Sequence, residues 1–187
     1  MKNRLYRKKF VLEDGFDALE TKIPKTHLPI CFIVTLILSV IISVVISLYV
    51  FRFAIVDGDS MQPTLNSNDI VAIYKMPHKF ERFDIVVIES PNELIVKRIM
   101  GLPGETVQIL DGCVYINGEQ LDDVMKEPIT SAGSAAEPIT LGVDEYFVLG
   151  DNRDVSMDSR NEYIGIIKEE QIIGRLIFSL IPPKGLK

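Results

Sequence analysis

Between positions 26 and 51 the sequence holds no Asp, Glu, Lys or Arg. From position 28 this uncharged run reads LPICFIVTLILSVIISVVISLYVF. A helix rising ~1.5 Å per residue needs about 20 apolar residues to cross ~30 Å of hydrocarbon. The run is long enough, and it exceeds the roughly 7–15-residue apolar region of a removable signal peptide. No convincing small-residue cleavage site precedes the remainder. The run therefore predicts an uncleaved transmembrane helix over 28–51, and it accounts for the positive mean hydropathy of the chain.

Basic residues are scarce on one side of that helix. Lys2, Arg4, Arg7, Lys8, Lys9, Lys22 and Lys25 precede it, whereas Arg52 is followed by none until Lys75. Lys and Arg excess marks the cytoplasmic side. The expectation is a single-pass cell-membrane protein of type II, with a cytoplasmic tail over 1–27 and an extracytoplasmic domain over 52–187.

Cysteine and histidine are also rare, with two of each. Cys31 lies inside the span and Cys113 in an expected strand, so the membrane separates them and an intramolecular disulfide is not expected. One thiol and one imidazole outside, Cys113 and His78, are too few for a structural zinc. No metal and no cofactor is expected. A Ser-His-Asp triad is disfavoured for the same reason, with His27 on the wrong side and His78 alone in a loop. The net charge is −6 and no basic stripe with interleaved aromatics occurs, which argues against a nucleic-acid partner.

What is present beyond the span reads as β structure. At 187 residues the chain suits one ordinary domain with appendages. FAIV, DIVAIY, FDIVVIE, ELIVKRIMG, TVQILDG, CVYING, EYFVLGD and IIGRLIFSLIP are short Val-, Ile-, Tyr- and Phe-rich runs bounded by turn residues. Asp111-Gly112 and Asn117-Gly118 are hairpin signals. Residues 168–172 suit a brief helical turn. The fold expected is mainly β: an N-terminal transmembrane helix, then an antiparallel β-barrel-like domain. Over 119–143, where EPIT occurs twice around a Ser/Ala/Gly-rich stretch, a flexible insertion or small cap is expected.

Three stretches could carry chemistry. GDSMQPTL, positions 58–65, sets Ser60 among small and turn-forming residues, which suits a plain turn or a nucleophile. Asp57, Asp59, Asp84, Asp151, Asp154 and Asp158 could be paired as carboxylates, but most stand in turn contexts where Asp is common anyway. In ELIVKRIMG, alternation sets Ile95, Lys97 and Ile99 on one strand face and Leu94, Val96, Arg98 and Met100 on the other. A buried Lys97 would lose its proton below the usual ~10.4, by up to about 3–5 units when fully enclosed, and could act as a base. The alternative is a lysine that extends its head to water at the sheet edge. The third stretch, GDNRDVSMDSR at 150–160, is a polar loop. It fails the calcium-loop pattern, with Arg153 where a ligand belongs.

Taken together, these stretches resemble the type I signal peptidases, membrane-anchored Ser-Lys endopeptidases that remove signal peptides from exported proteins. SMxPTL, FDIVVI, VKRIMGLPGE and GDNRxxSxDSR occur in the family's order after an anchor, and the likeness covers about 28–187 without the 119–143 insertion. The resemblance implies that Ser60 is the nucleophile and Lys97 its base, with Ser156 orienting the amine. It implies structural charge pairs among Asp151, Arg98, Asp158 and Arg160. The Ser60 N–H would help form an oxyanion hole, while Gly58 occupies a position where some members add a hydroxyl donor. It also implies that Met61 offers apolar surface near the membrane and that Pro63 fixes the turn. The partners implied are signal peptides of secreted preproteins, cleaved after small residues in an A-x-A-like pattern, and the lipid bilayer near the export translocon. A self-cleaving Ser-Lys peptidase of the same fold is a second reading, countered by the anchor and GDNR. A non-enzymatic membrane-anchored descendant is a third, countered by the presence of both Ser60 and Lys97.

Overall fold

The computed structural model describes residues 27–75, 79–90 and 93–185. The cytoplasmic tail expected before residue 27, apart from that residue, and His78 lie outside the described residues. The described residues up to Ser43 and those from Val44 onward form two compact units. Helix α1, His27–Val50, contains the apolar stretch Ile30–Val50, which is long enough to cross a bilayer. Every residue from 30 to 49 is exposed, so the helix is apolar all round, as a lipid-facing span requires. Thr35 and Ser39 donate their hydroxyls to carbonyls three or four residues earlier, which satisfies them inside the helix. Phe51 begins the first strand instead of ending the helix.

Among the described residues twelve strands follow: β1 Phe51–Ile55, β2 Ile70–Tyr74, β3 Ile85–Glu89, β4 Leu94–Gly101, β5 Thr106–Leu110, β6 Cys113–Ile116, β7 Glu119–Gln120, β8 Ile139–Thr140, β9 Glu145–Leu149, β10 Ile167–Lys168, β11 Ile172–Ile181 and β12 Pro183–Gly185. All pairings are antiparallel. The larger sheet runs β1-β2-β11-β3-β4-β9-β10, with β12 on β11; the smaller runs β7-β6-β5-β8. The expected mainly antiparallel β fold behind an N-terminal apolar helix is what the structure shows; among the described strands β1 and β10 are outer edges, and no closed barrel is present. The chain changes sheet at the end of β4, where a register shift between Ile99 and Gly101 bends the strand toward β5.

Both hairpin signals act as turns. Asp111 and Gly112 have φ of 49° and 77°, and Asn117 and Gly118 have 54° and 84°, the left-handed pairs that two-residue hairpins require. The helical turn expected near 168–172 is a 3-10 turn over Glu169–Gln171. Three apolar clusters form the core. Val71, Ile73, Ile85, Val87 and Leu176 build one, Val86, Ile88, Ile99 and Val148 the second, and Met100, Val107, Val114 and Phe147 the third. The 119–143 segment contributes to the third: Ile129, Ala135 and Leu141 are buried, β7 and β8 extend the small sheet, and Gly133–Ala136 forms a 3-10 turn. It is a packed cap, because burying Ile129 and Leu141 stabilises it by roughly 1.5–3 kcal/mol per side chain.

Candidate active site

Ser60 starts a tight turn between β1 and β2. The Leu65 N–H donates to Met61 O over 2.8 Å and the Gln62 N–H to Asp59 O over 3.2 Å, which closes one helical turn behind the serine. Met61 and Leu65 anchor that turn in the core, both essentially inaccessible. Met61 is therefore a core residue, which corrects the expected role as apolar surface. Gly58 sits at φ 87°, a left-handed conformation that disfavours other residues and needs no side chain. The Ser60 N–H has no acceptor among the described residues.

Lys97 comes from the centre of β4, paired across to Val86 of β3. It is 3% exposed. Its Nζ stands 2.9 Å from Ser60 Oγ, at hydrogen-bond distance. The Lys97 pKa is lowered, chiefly because burial removes water from the ammonium form; Asp158, Glu93 and Asp151 pull it up and Arg160 pushes it further down. A neutral amine against a serine hydroxyl can accept that hydroxyl's proton.

The 150–160 loop closes the site from behind. Arg98, the next residue along β4, meets Asp151 through two bonds, Nε to Oδ1 at 2.7 Å and Nη2 to Oδ2 at 2.6 Å, with both side chains buried. Its Nη1 donates to Phe83 O over 2.9 Å. Arg160 forms a second bidentate pair with Asp158, at 2.8 and 2.9 Å, and Asp158 Oδ2 also accepts from the Gly150 N–H. The Asn152 N–H donates to Ser60 O over 3.0 Å, and Asn152 Nδ2 to Asp59 O over 3.2 Å.

Ser156 differs from its expected arrangement. Its Oγ is buried without a hydrogen-bond partner, so no bond to Lys97 is present. The hydroxyl instead lies beside Gly150, where an added Cβ would stand 2.1 Å from Ser156 Oγ and 2.5 Å from Ser60 O. Gly150 is bare because the loop and the nucleophile turn meet there.

Ser60 and Lys97 open into a cleft of about 470 Å³ with Ile55, Val87, Ile95 and Val155 among its walls and Asp57 and Glu93 among its polar groups. Beside it, residues 94–97 of β4 pair only with β3, since the pairing with β9 begins at Arg98. Among the described residues no group of His, Cys, Asp and Glu is arranged to hold a metal ion.

Three residues escaped the sequence reading. Asn152 was visible inside GDNR, though nothing local shows that it spans to the serine turn. Glu93 looked like an ordinary strand start. Phe83, expected to open the strand FDIVVIE, instead has φ 72° just before β3, a strained conformation costing on the order of 1–3 kcal/mol. It aims its carbonyl at Arg98.

Residues 30–181 match the family described as signal peptidase, peptidase S26. The chain is 38% identical over 149 residues to "Signal peptidase I" of Bacillus amyloliquefaciens, covering 72% of this chain and 78% of that one. It is 37% identical over 150 residues to "Signal peptidase I S" of Bacillus subtilis (strain 168), covering 72% and 79%. To "Probable signal peptidase I-2" of Synechocystis sp. it is 35% identical over 153 residues, covering 74% and 67%.

Proposed function

The chain belongs to the signal peptidase family, peptidase S26, whose work is the removal of signal peptides from preproteins, and from that premise we propose that it cleaves with a Ser60–Lys97 dyad. The observation that carries the reading is Lys97 Nζ, buried and 2.9 Å from Ser60 Oγ. In the proposed reaction, Ser60 Oγ attacks the scissile carbonyl as its proton passes to Lys97 Nζ. The tetrahedral oxyanion takes a hydrogen bond from the Ser60 N–H, which has no other acceptor among the described residues. Collapse breaks the C–N bond, and the proton on Lys97 leaves with the amine of the mature protein. Lys97, neutral again, then accepts a proton from the water that attacks the acyl-serine. Collapse breaks the acyl C–O bond, and Lys97 returns that proton to Ser60 Oγ as the cleaved signal peptide leaves as a carboxylate.

Ser156 is assigned to hold the neutral amine. A buried hydroxyl without a partner costs roughly 1–3 kcal/mol, and a bond to Lys97 during turnover would relieve it. Arg98–Asp151 and Arg160–Asp158 are assigned to hold the loop, and Gly58 contributes shape alone, so the second oxyanion donor is a backbone N–H or water.

The substrate is assigned to the free edge of β4 over 94–97, adding as an extended strand whose alternate side chains enter the cleft. Selection of small residues in an A-x-A-like pattern belongs to this reading. So does the location: N-terminus cytoplasmic, 52–187 outside, beside the bilayer and the export translocon. Enzyme and signal peptide share the membrane, which raises their effective concentration.

Digesting one exported preprotein with the purified full chain and sequencing the product N-terminus tests the activity. A new N-terminus after an A-x-A-like site, absent with Ser60→Ala, is expected; equal cleavage by Ser60→Ala would refute the nucleophile. Protease added to intact spheroplasts should degrade 52–187 and spare the tail, and the opposite pattern would reverse the topology.

A further inference from the structure

The cap between β7 and β8 grips the loop that backs the dyad. Arg153 Nη1 stands 2.8 Å from Asp123 Oδ2, and Nη2 donates to Asp123 Oδ1 over 3.0 Å. Further along, Thr130 Oγ1 donates to Asp154 Oδ1 over 2.9 Å, the Ser134 N–H to Arg160 O over 3.0 Å, and Ser134 Oγ to Ser159 O over 3.1 Å. Gly133 passes so close that an added Cβ would stand 2.3 Å from Arg160 O. On its other side the same loop holds the Ser60 turn through Asn152, the residue next to Arg153. The loop is thus held between cap and nucleophile.

We infer that Asp123, acting through Arg153, is a positioning residue for the Ser60–Lys97 pair, with the cap as the outer brace of the catalytic loop. The inference rests on the peptidase reading above. Two features separate this pair from ordinary surface charge. It joins one hydrogen bond, Nη2 to Oδ1, to a close Nη1–Oδ2 approach, and its side chains are only 3% and 14% exposed, so solvent screens it little. The neighbouring pair Lys126–Asp122 is 73% and 96% exposed and has little energetic weight. Neutralising Asp123 strands a buried guanidinium beside Asn152, and the loop shifts away from Ser60. The shift also admits water to Lys97. The charged groups that act on its amine are Asp158, Glu93, Arg160 and Asp151, and three of these sit in the loop itself.

The test compares wild type, Asp123→Asn, Asp122→Asn and Thr130→Val in the full-length enzyme, reading kcat, KM and the pH profile of preprotein cleavage alongside thermal unfolding. Asp123→Asn is expected to lower kcat by about tenfold to 10²-fold, with KM within a factor of about three. Its profile should move to higher pH, because a rehydrated Lys97 holds its proton longer. Asp122→Asn should match wild type. A wild-type profile for Asp123→Asn, or a loss that only tracks the folded fraction without a pH shift, would overturn the inference. If Asp123→Asn does not fold, Thr130→Val decides by the same two criteria, with a smaller shift expected. Failure of the wild-type enzyme to cleave any preprotein would overturn the peptidase reading instead, so the two failures are distinct.

Discussion

Lys97 and Arg98 are neighbours on β4, and the strand turns them to opposite faces. Both are removed from water, at 3% and 1% exposure. Arg98 finds a carboxylate, Asp151, in a bidentate pair, with a backbone carbonyl and a threonine hydroxyl beside it. Lys97 finds a neutral hydroxyl. A guanidinium does not give up its proton in proteins, so burial forces it to acquire a counter-charge. An ammonium can give up its proton instead, so burial without a counter-charge in contact turns it into a base. Two adjacent cations, both buried, thus divide into one that is paired within the fold and one to which the proposed function assigns the chemistry.

Exchanging the kind of cation should break the division most severely. Lys97→Arg keeps the charge but cannot become neutral, and kcat/KM should fall by about 10³-fold or more while the chain still folds. Lys97→Met should be as inactive. It should also be more stable than wild type at neutral pH, because it removes a buried ammonium. The sign follows from proton linkage: native Lys97 releases its proton below the ~10.4 of the unfolded chain, so wild-type stability rises with pH between the native value and ~10.4. The advantage of Lys97→Met should therefore be largest below that window and shrink through it, as unfolding at several pH values would show. Retained cleavage by Lys97→Arg would remove Lys97 as the base.

Asp151→Asn attacks the other side. It leaves Arg98 charged and buried without its carboxylate, at a cost of roughly 3–5 kcal/mol. Denaturant unfolding should show that loss, while enzyme kept folded by mild conditions should retain much more activity than Lys97→Arg. A stability change below about 1 kcal/mol would mean that Arg98 has another adequate partner.

Ser156→Ala gives the smallest expected effect and sharpens the comparison. Removing an unpaired buried hydroxyl should leave stability unchanged or slightly higher. Cleavage should fall by about tenfold to 10²-fold, within the range of a lost positioning contact. Unchanged cleavage would leave Lys97 without a second partner.

The strands were legible because β2, β3, β4 and β11 are short runs rich in Val and Ile and bounded by turn residues, and because Asp111-Gly112 and Asn117-Gly118 announce their turns. Strands β7, β8, β10 and β12 are two or three residues long, too short to show a period, and their pairing is set by neighbours distant in sequence. The flanking Ile95 and Ile99 left two readings of Lys97 open, a buried amine or a head extended to water, and the packing of the fold buries it. The side chain of Met61 was not: a methionine after the serine suits surface and core equally, and only β2, β3 and β11 around it place it inside. The mainly antiparallel β class was legible in these runs, while the order of strands across the two sheets was not, because the runs say nothing about which edges meet. The left-handed Phe83 had no sequence signal, since a bulky residue in that conformation is held there by its surroundings.

In the proposed function Lys97 is the buried cation that loses its proton. Titrating the Lys97 Cε resonance of the folded enzyme by heteronuclear NMR, with Lys97→Arg used to assign the signal, tests it directly. A midpoint well below ~10.4, coinciding with the rise of kcat/KM with pH, is the predicted result. A Lys97 that titrates at or above ~10.4 in a folded, active enzyme would contradict the account.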